Sequence, residues 1–278
     1  MEIYSEVIEN QPMNMHFQFR NLEMFSSFLQ RKVSIEFLQN ETFDELAPPA
    51  LLILNDGQDL IRLRMEETLN SLSQSFKLPK IIIAAVTAGQ RKAEFGVSGT
   101  PDFQNRGAKA SDYELFIVNE LLPHIESLSG WSTTPVCTAI AGTSLGGLSA
   151  LDIATSHPHR FGIAGVLSGS LWWRSKSYEE GYLETDRIIF SKMNQISLPS
   201  YFKCWLMAGT NDESYDRNAN GVIDAVDDTI DMYELLVGKS LLDHPDEKIR
   251  LHIVDGGTHD TGTWENAYRD FILFAFGT

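Results

Sequence analysis

Three residues have the types and order of a nucleophilic relay: Ser144 within Gly142-Thr143-Ser144-Leu145-Gly146, Asp212 within Gly209-Thr210-Asn211-Asp212-Glu213, and His259 within Asp255-Gly256-Gly257-Thr258-His259. A serine hydroxyl is a weak nucleophile. It needs a base within hydrogen-bond reach, and the base needs an acid that fixes its tautomer and steadies the imidazolium. G-x-S-x-G is an ordinary Gly-rich turn unless a strand leads into it and a helix leaves it. Here Ala139-Ile140-Ala141 precedes and Leu148, Leu151 and Ile153 follow at helical spacing, so the serine is placed on a sharp strand-to-helix turn. Asp212, Glu213 and Asp216 share one loop, and Asp212 is the first carboxylate past its strand. Of the histidines, His16 and His252 fall in strand patterns and His124, His157, His159 and His244 in helical or connecting segments, whereas His259 follows a terminal strand in a Gly-rich turn. Acyl transfer also needs donors for the oxyanion. The backbone N–H of Leu145 is one candidate and that of Gln58, after the Leu51–Leu54 run, is the other.

These residues can meet only if the strands before them lie side by side, because in open α/β sheets ligands bind beyond the carboxyl ends of the strands. Met15–Arg20 and Val33–Phe37 alternate apolar and polar side chains, as an antiparallel edge does. After the Ala47-Pro48-Pro49 break, Ala50–Leu54, Ile81–Val86 and Phe202–Ala208 are short apolar runs of the kind buried on both faces, and Gly162–Leu167 and Arg250–Val254 read as two further strands. Helices are expected near Ile61–Leu72, from a capping box at Ser111-Asp112-Tyr113-Glu114, and over Trp264–Phe276, with a kink or early end at Pro123. Residues 87–110 have no apolar period and read as a long functional loop. The fold predicted is α/β: a mostly parallel central sheet with helices on both faces and an antiparallel N-terminal edge, forming a single domain over residues 1–278.

Composition narrows the function classes. The 278 residues carry a formal net charge of -16, which disfavours a nucleic-acid partner, and no apolar run approaches the length of a membrane helix. Cys137 and Cys204 lie beside apolar runs and read as free buried thiols. The acidic start, Met1–Glu6, lacks a basic region followed by an apolar one, so a cytoplasmic location is expected.

Leu54-Asn55-Asp56-Gly57-Gln58-Asp59, Arg91 with Glu94, the Gly142–Gly147 turn, His157-Pro158-His159-Arg160-Phe161, Ser168-Gly169-Ser170-Leu171-Trp172-Trp173, the Asp212 loop and Gly257-Thr258-His259-Asp260 together resemble an esterase family of the α/β-hydrolases. That family includes enterochelin (siderophore) esterases, feruloyl esterases, S-formylglutathione hydrolases and mycolyltransferases. The resemblance implies the α/β-hydrolase fold, a Ser144–Asp212–His259 triad, and Arg91, Trp172 and Trp173 near a small-molecule ester substrate. The Asp-Gly-Gln, Arg-x-x-Glu and Trp-Trp elements lean towards the siderophore-esterase branch. Feruloyl or acetyl carbohydrate ester hydrolysis, acyl transfer to an alcohol, and a calcium-dependent binding module on a hydrolase scaffold are the other readings.

One stretch departs from the family pattern. Asp216–Asp227 matches an EF-hand-type calcium loop: Asp216, Asn218, Asn220, Asp224 and Asp227 supply side-chain oxygens at positions 1, 3, 5, 9 and 12, Gly221 makes the turn, and Val222 offers its carbonyl. A structural Ca²⁺ is expected there, with Asp in place of Glu shortening the last ligand. Sites of this type suit calcium-rich exteriors, which pulls against a cytoplasmic location. No cofactor is implied for catalysis, since neither a His-x-x-x-His pair nor a cysteine cluster occurs.

Overall fold

The fold follows from five apolar runs that cannot face water on either side. In the computed structural model, which describes residues 17–40, 49–75, 78–239 and 245–277, every residue of strands β3 (Ala50–Asn55), β4 (Ile81–Val86), β5 (Thr138–Thr143) and β6 (Ile163–Leu167) is buried. Residues 203–209 of β7 (Lys203–Asn211) are nearly as well covered. With β1 (Phe17–Ser26), β2 (Arg31–Asn40) and β8 (Ile249–Thr258), these strands form an eight-stranded sheet in the order β1-β2-β4-β3-β5-β6-β7-β8. β1 pairs with β2 and β2 with β4 antiparallel, and every other neighbour is parallel. The half-exposed alternation of β1 thus marks the antiparallel edge, as expected. Met15, His16, Ala47, Pro48 and His244 lie outside the described residues.

Because side chains alternate across a strand, each buried strand feeds two cores. Ile53, Ile140, Val166 and Leu206 face one layer; Leu52, Leu54, Ala141 and Met207 face the other. Helix α1 (Met65–Ser75) covers the second layer. A short α2 (Arg91–Glu94) lies within the long loop, and α3 (Ala110–Phe116), α4 (Leu122–Ser129) and α5 (Leu145–Ser156) build the first layer. Helices α6 (Ile188–Gln195) and α7 (Asp224–Lys239) also belong to the first, α8 (Pro245–Lys248) precedes β8, and α9 (Thr261–Phe276) lies on the second.

Several boundaries differ from the sequence reading. α1 begins at Met65 rather than Ile61: Ile61 is exposed, and Arg64 takes a left-handed φ of 46° that separates the preceding turn from the helix. The expected capping box does not form. α3 starts one residue earlier, no side chain caps it, and the Ser111 hydroxyl pairs with that of Ser98 at 3.0 Å. Pro123 neither kinks nor ends its helix abruptly. A π-turn over Ile117–Leu121 joins α3 to α4, and Pro123 falls in the first turn of α4, where its missing N–H is not needed. Residues 87–110 are ordered by buried contacts, with Glu94 held by Arg31 at 2.6 Å and by the amides of Gly89 and Gln90. Cys137 and Cys204 are free thiols. No helix of the described residues is long and apolar enough to cross a membrane.

Phe271 of α9 is fully buried, and its ring lies where the β6 residue Gly165 leaves room for it. Phe271→Ala is expected to lower unfolding free energy by about 3–5 kcal/mol. Urea titration checks this, with a midpoint shift and an unchanged slope as the expected outcome.

Candidate active site

The site begins where β5 turns into α5. Ser144 has φ 55° and ψ −124°, a left-handed backbone costing on the order of 1–3 kcal/mol that the surroundings must hold in place. They hold it by close approach. A Cβ on Gly142 would stand 2.5 Å from the Gly146 carbonyl carbon, so the strand and helix can cross only where both lack side chains. Asn55, at the end of β3, donates to the Gly146 carbonyl at 2.8 Å and accepts from the Tyr113 hydroxyl at 2.6 Å, which ties the turn to α3.

Beyond β6, the last two strands of the sheet, β7 and β8, lead to the acid and the imidazole. β7 ends in Asp212, whose Oδ2 accepts from the Gly209 amide at 3.0 Å while its side chain is only 1% exposed. A Cβ on Gly209 would meet the Gly257 carbonyl oxygen at 2.4 Å, so this bare position lets the two loops close on each other. His259 lies between β8 and α9, whose first turn is capped by Asp260 through the amides of Gly262 and Thr263. Trp264 meets the imidazole edge-on with ring centroids 5.0 Å apart, and its indole N–H donates to Ser168. Asp212 Oδ1 stands 4.0 Å from His259 Nδ1, an ion-pair distance rather than a hydrogen bond. Ser144, Asp212 and His259 line one cavity of about 240 Å³. Burial pushes the His259 pKa below its ordinary 6.5; the Asp212 charge opposes this and the Arg91 charge adds to it, so the imidazole is neutral at pH 7.

The other expected residues divide. Leu145 is the first residue of α5, and Gln58 lies in a 3-10 turn over Gly57–Asp59, so neither amide has an acceptor within its own helix. The Gln58 side chain bridges Asp56 at 2.8 Å and the Ala88 amide at 3.2 Å. Arg91 donates from Nε and Nη2, one edge of its guanidinium, to the buried Asp56 carboxylate at 2.8 Å each, yet its side chain remains 35% exposed. Trp172 lines the cavity. Trp173 is fully buried against Gly96 and Gly107 and is a core residue. Ser170, whose hydroxyl lies 3.4 Å from that of Ser144, and Glu213 also face the cavity without having been singled out for a role; adjacency to Trp172 and to Asp212 was the available signal.

The acidic loop follows Asp212 directly. Asp216 accepts from the amides of Asn220 and Gly221, Gly221 has φ +88°, and the amides of Asn218 and Asn220 both donate to Asp227 Oδ2 at 3.0 and 2.8 Å. Val222 is exposed at the tip, and its N–H donates to Asn220. Asp224 differs from the expected arrangement: it is buried at the start of α7 and accepts from the Arg217 amide at 2.8 Å and its guanidinium at 3.2 Å. Among the described residues no group of three or more His, Cys, Asp or Glu is gathered as a metal site, so the loop's convergence depends on its asparagines.

The family model described as "Putative esterase" matches residues 26–270. The chain belongs to this esterase family. The chain is 39% identical over 74 residues to the iron(III) enterobactin esterase of Escherichia coli O6:H1, a match over 26% of this chain and 18% of that protein. It superposes on the enterobactin esterase of Shigella flexneri, crystallised in the presence of enterobactin, with TM-score 0.71 and 22% identity over 95% of this chain and 60% of that one. A ferulic acid esterase matches with TM-score 0.69 and 17% identity over 94% and 98% of the two chains. The α/β-hydrolase fold is common to them. The chain spans less than two thirds of the length of the enterobactin esterases it matches.

Gly142→Ala tests the close crossing beneath Ser144. The added methyl is expected to destabilise the protein by about 1–3 kcal/mol, read as a lower thermal midpoint. An unchanged midpoint would show that the turn relaxes freely.

Proposed function

We propose that this protein is a serine carboxylic-ester hydrolase. Ser144 Oγ attacks the ester carbonyl carbon while His259 takes the hydroxyl proton; collapse of the tetrahedral intermediate breaks the C–O bond, and the imidazolium returns the proton to the leaving alcohol. Water, deprotonated by the same imidazole, then releases the acid and frees the serine. Asp212 steadies the imidazolium, and the amides of Leu145 and Gln58 receive the oxyanion. With Nδ1 turned towards Asp212, Nε2 is the nitrogen left for Ser144. The observation that carries this reading is the meeting of Ser144, Asp212 and His259, from three separate strand ends, at one cavity.

The substrate class proposed is an enterobactin-type siderophore ester. It is supported by the enterobactin esterases that appear among both the sequence relatives and the structural neighbours, and by the exposed part of Arg91 together with Trp172. A feruloyl or acetyl carbohydrate ester is the second reading, favoured by the ferulic acid esterase, which the chain matches over nearly its whole length.

Ser144→Ala is expected to lower kcat for p-nitrophenyl acetate by on the order of 10⁶. The wild-type kcat/KM should fall as pH drops through a pKa below 6.5, because protonation removes the neutral His259 base. Equal rates in both proteins, or a profile flat down to pH 4, would remove Ser144 or His259 from the mechanism.

We also propose that Asp216–Asp227 binds a structural Ca²⁺ through Asp216, Asn218, Asn220, the Val222 carbonyl and Asp227, with Asp224 reaching it through a water, as position 9 often does. Support comes from the twelve-residue pattern and from the side-chain N–H bonds that draw Asn218 and Asn220 against Asp227 in one compact loop. Calcium at about 100 times its Kd should stabilise the fold by about 2.7 kcal/mol relative to chelator, and Asp216→Ala should abolish the shift. A thermal midpoint identical with calcium and with chelator in the wild type means that the loop holds no ion.

A further inference from the structure

Glu213 follows Asp212 at the end of β7 and faces the same cavity as Ser144 and His259. The Ala225 amide in the first turn of α7 favours its charged form. Oε1 is buried and has no hydrogen-bond partner. The guanidiniums of the neighbouring segments are already committed. Arg187 and Arg217 are shared among Glu184, Asp224, Asp228 and Asp231, four carboxylates for two cations. The ground behind Glu213 is therefore negative, and burial together with Asp224, Asp228 and Asp212 raises the Glu213 pKa.

A buried acceptor left without a donor is unfavourable, and a ligand that brings the donor recovers that loss on binding. A site built to hydrogen-bond one substrate group rejects the analogue that lacks it far more strongly than a hydrophobic pocket rejects a missing methylene. We infer that Glu213 is a specificity-determining residue whose free Oε1 accepts a hydrogen bond from an O–H or N–H carried by the ester beside its scissile carbonyl. Esters bearing such a donor are preferred, esters with a plain hydrocarbon there are poorer, and esters bearing a carboxylate are rejected by the negative charge behind Glu213. This rests on the esterase reading of the Ser144 site and adds the chemistry of the group next to the ester.

The test uses p-nitrophenyl esters of glycolic acid, N-acetylglycine, propionic acid and succinic acid, which offer a hydroxyl, an amide N–H, no polar group and a carboxylate. Each wild-type kcat/KM is divided by the spontaneous hydrolysis rate of that ester. The glycolate and N-acetylglycinate are expected to exceed the propionate, the larger of the two naming the donor, with the succinate lowest; this arm needs no variant. Glu213→Gln replaces one carboxylate oxygen with an NH₂ donor. The expected result is a loss on the order of 10-fold, carried mainly by KM, for the two donor-bearing esters relative to the propionate, and a relative gain for the succinate. Equal losses on all four esters would assign Glu213 to holding α7 alone and overturn the inference, as would a wild type without donor preference. If the wild-type activity survives Ser144→Ala, the esterase reading falls and this inference with it.

Discussion

The turn around Ser144 depends on a crossing that no side chain can enter. The end of β5 and the start of α5 approach so closely that a methyl group on Gly142 would collide with the Gly146 backbone, and one on Gly146 would press on the side chains of Asn55 and Asp56 at the end of β3. Asn55 fastens the helix through the Gly146 carbonyl and is itself held by Tyr113; Asp56, in a left-handed conformation with φ 61°, holds Arg91 and Gln58. One corner therefore sets the backbone of Ser144, the turn carrying the Gln58 amide, and the orientation of the cation nearest the site. The strain at Ser144 persists because its neighbours are fixed independently of it.

Much of the sheet was legible in the sequence because buried parallel strands must be apolar at every position. Ile81–Val86 matches its apolar run from end to end, and Ala50–Asn55 differs by one residue. Helix ends were less legible because they depend on single torsions and remote partners. Arg64 delays α1 by adopting a left-handed φ, and Ser111, which reads locally as a cap, finds a partner in Ser98, thirteen residues away. Pro123 shows the same limit: the π-turn before it absorbs a break that local rules predict.

At the site, strand ends supplied the signal. Ser144, Asp212 and His259 each follow an apolar run, and the parallel order β5-β6-β7-β8 brings those ends to one side of the sheet. Residue type alone could not separate Trp172 from Trp173, which are adjacent and identical in chemistry; one lines the cavity while the other packs against two glycines. Nor could it reveal that Arg91 reaches the site already bound to Asp56, or that Glu213, one of three carboxylates in its loop, has a buried oxygen. Those distinctions arise from tertiary contacts between segments far apart in sequence.

The order of the strands also divides the proposed machinery mechanically. Ser144 rises from β5, which has parallel neighbours on both sides, whereas the imidazole follows β8, which among the described residues is the outermost strand and pairs with β7 alone. Local opening of a protein proceeds from its least supported elements, and a sheet edge frays at lower free energy than its centre. Fraying of β8 would carry His259 away from a serine that stays in place, so the proposed activity would be lost while the core remains folded and return when the edge closes. On the proposed mechanism, loss of turnover and loss of structure would be separate events, the first reporting the grip of a single peripheral strand.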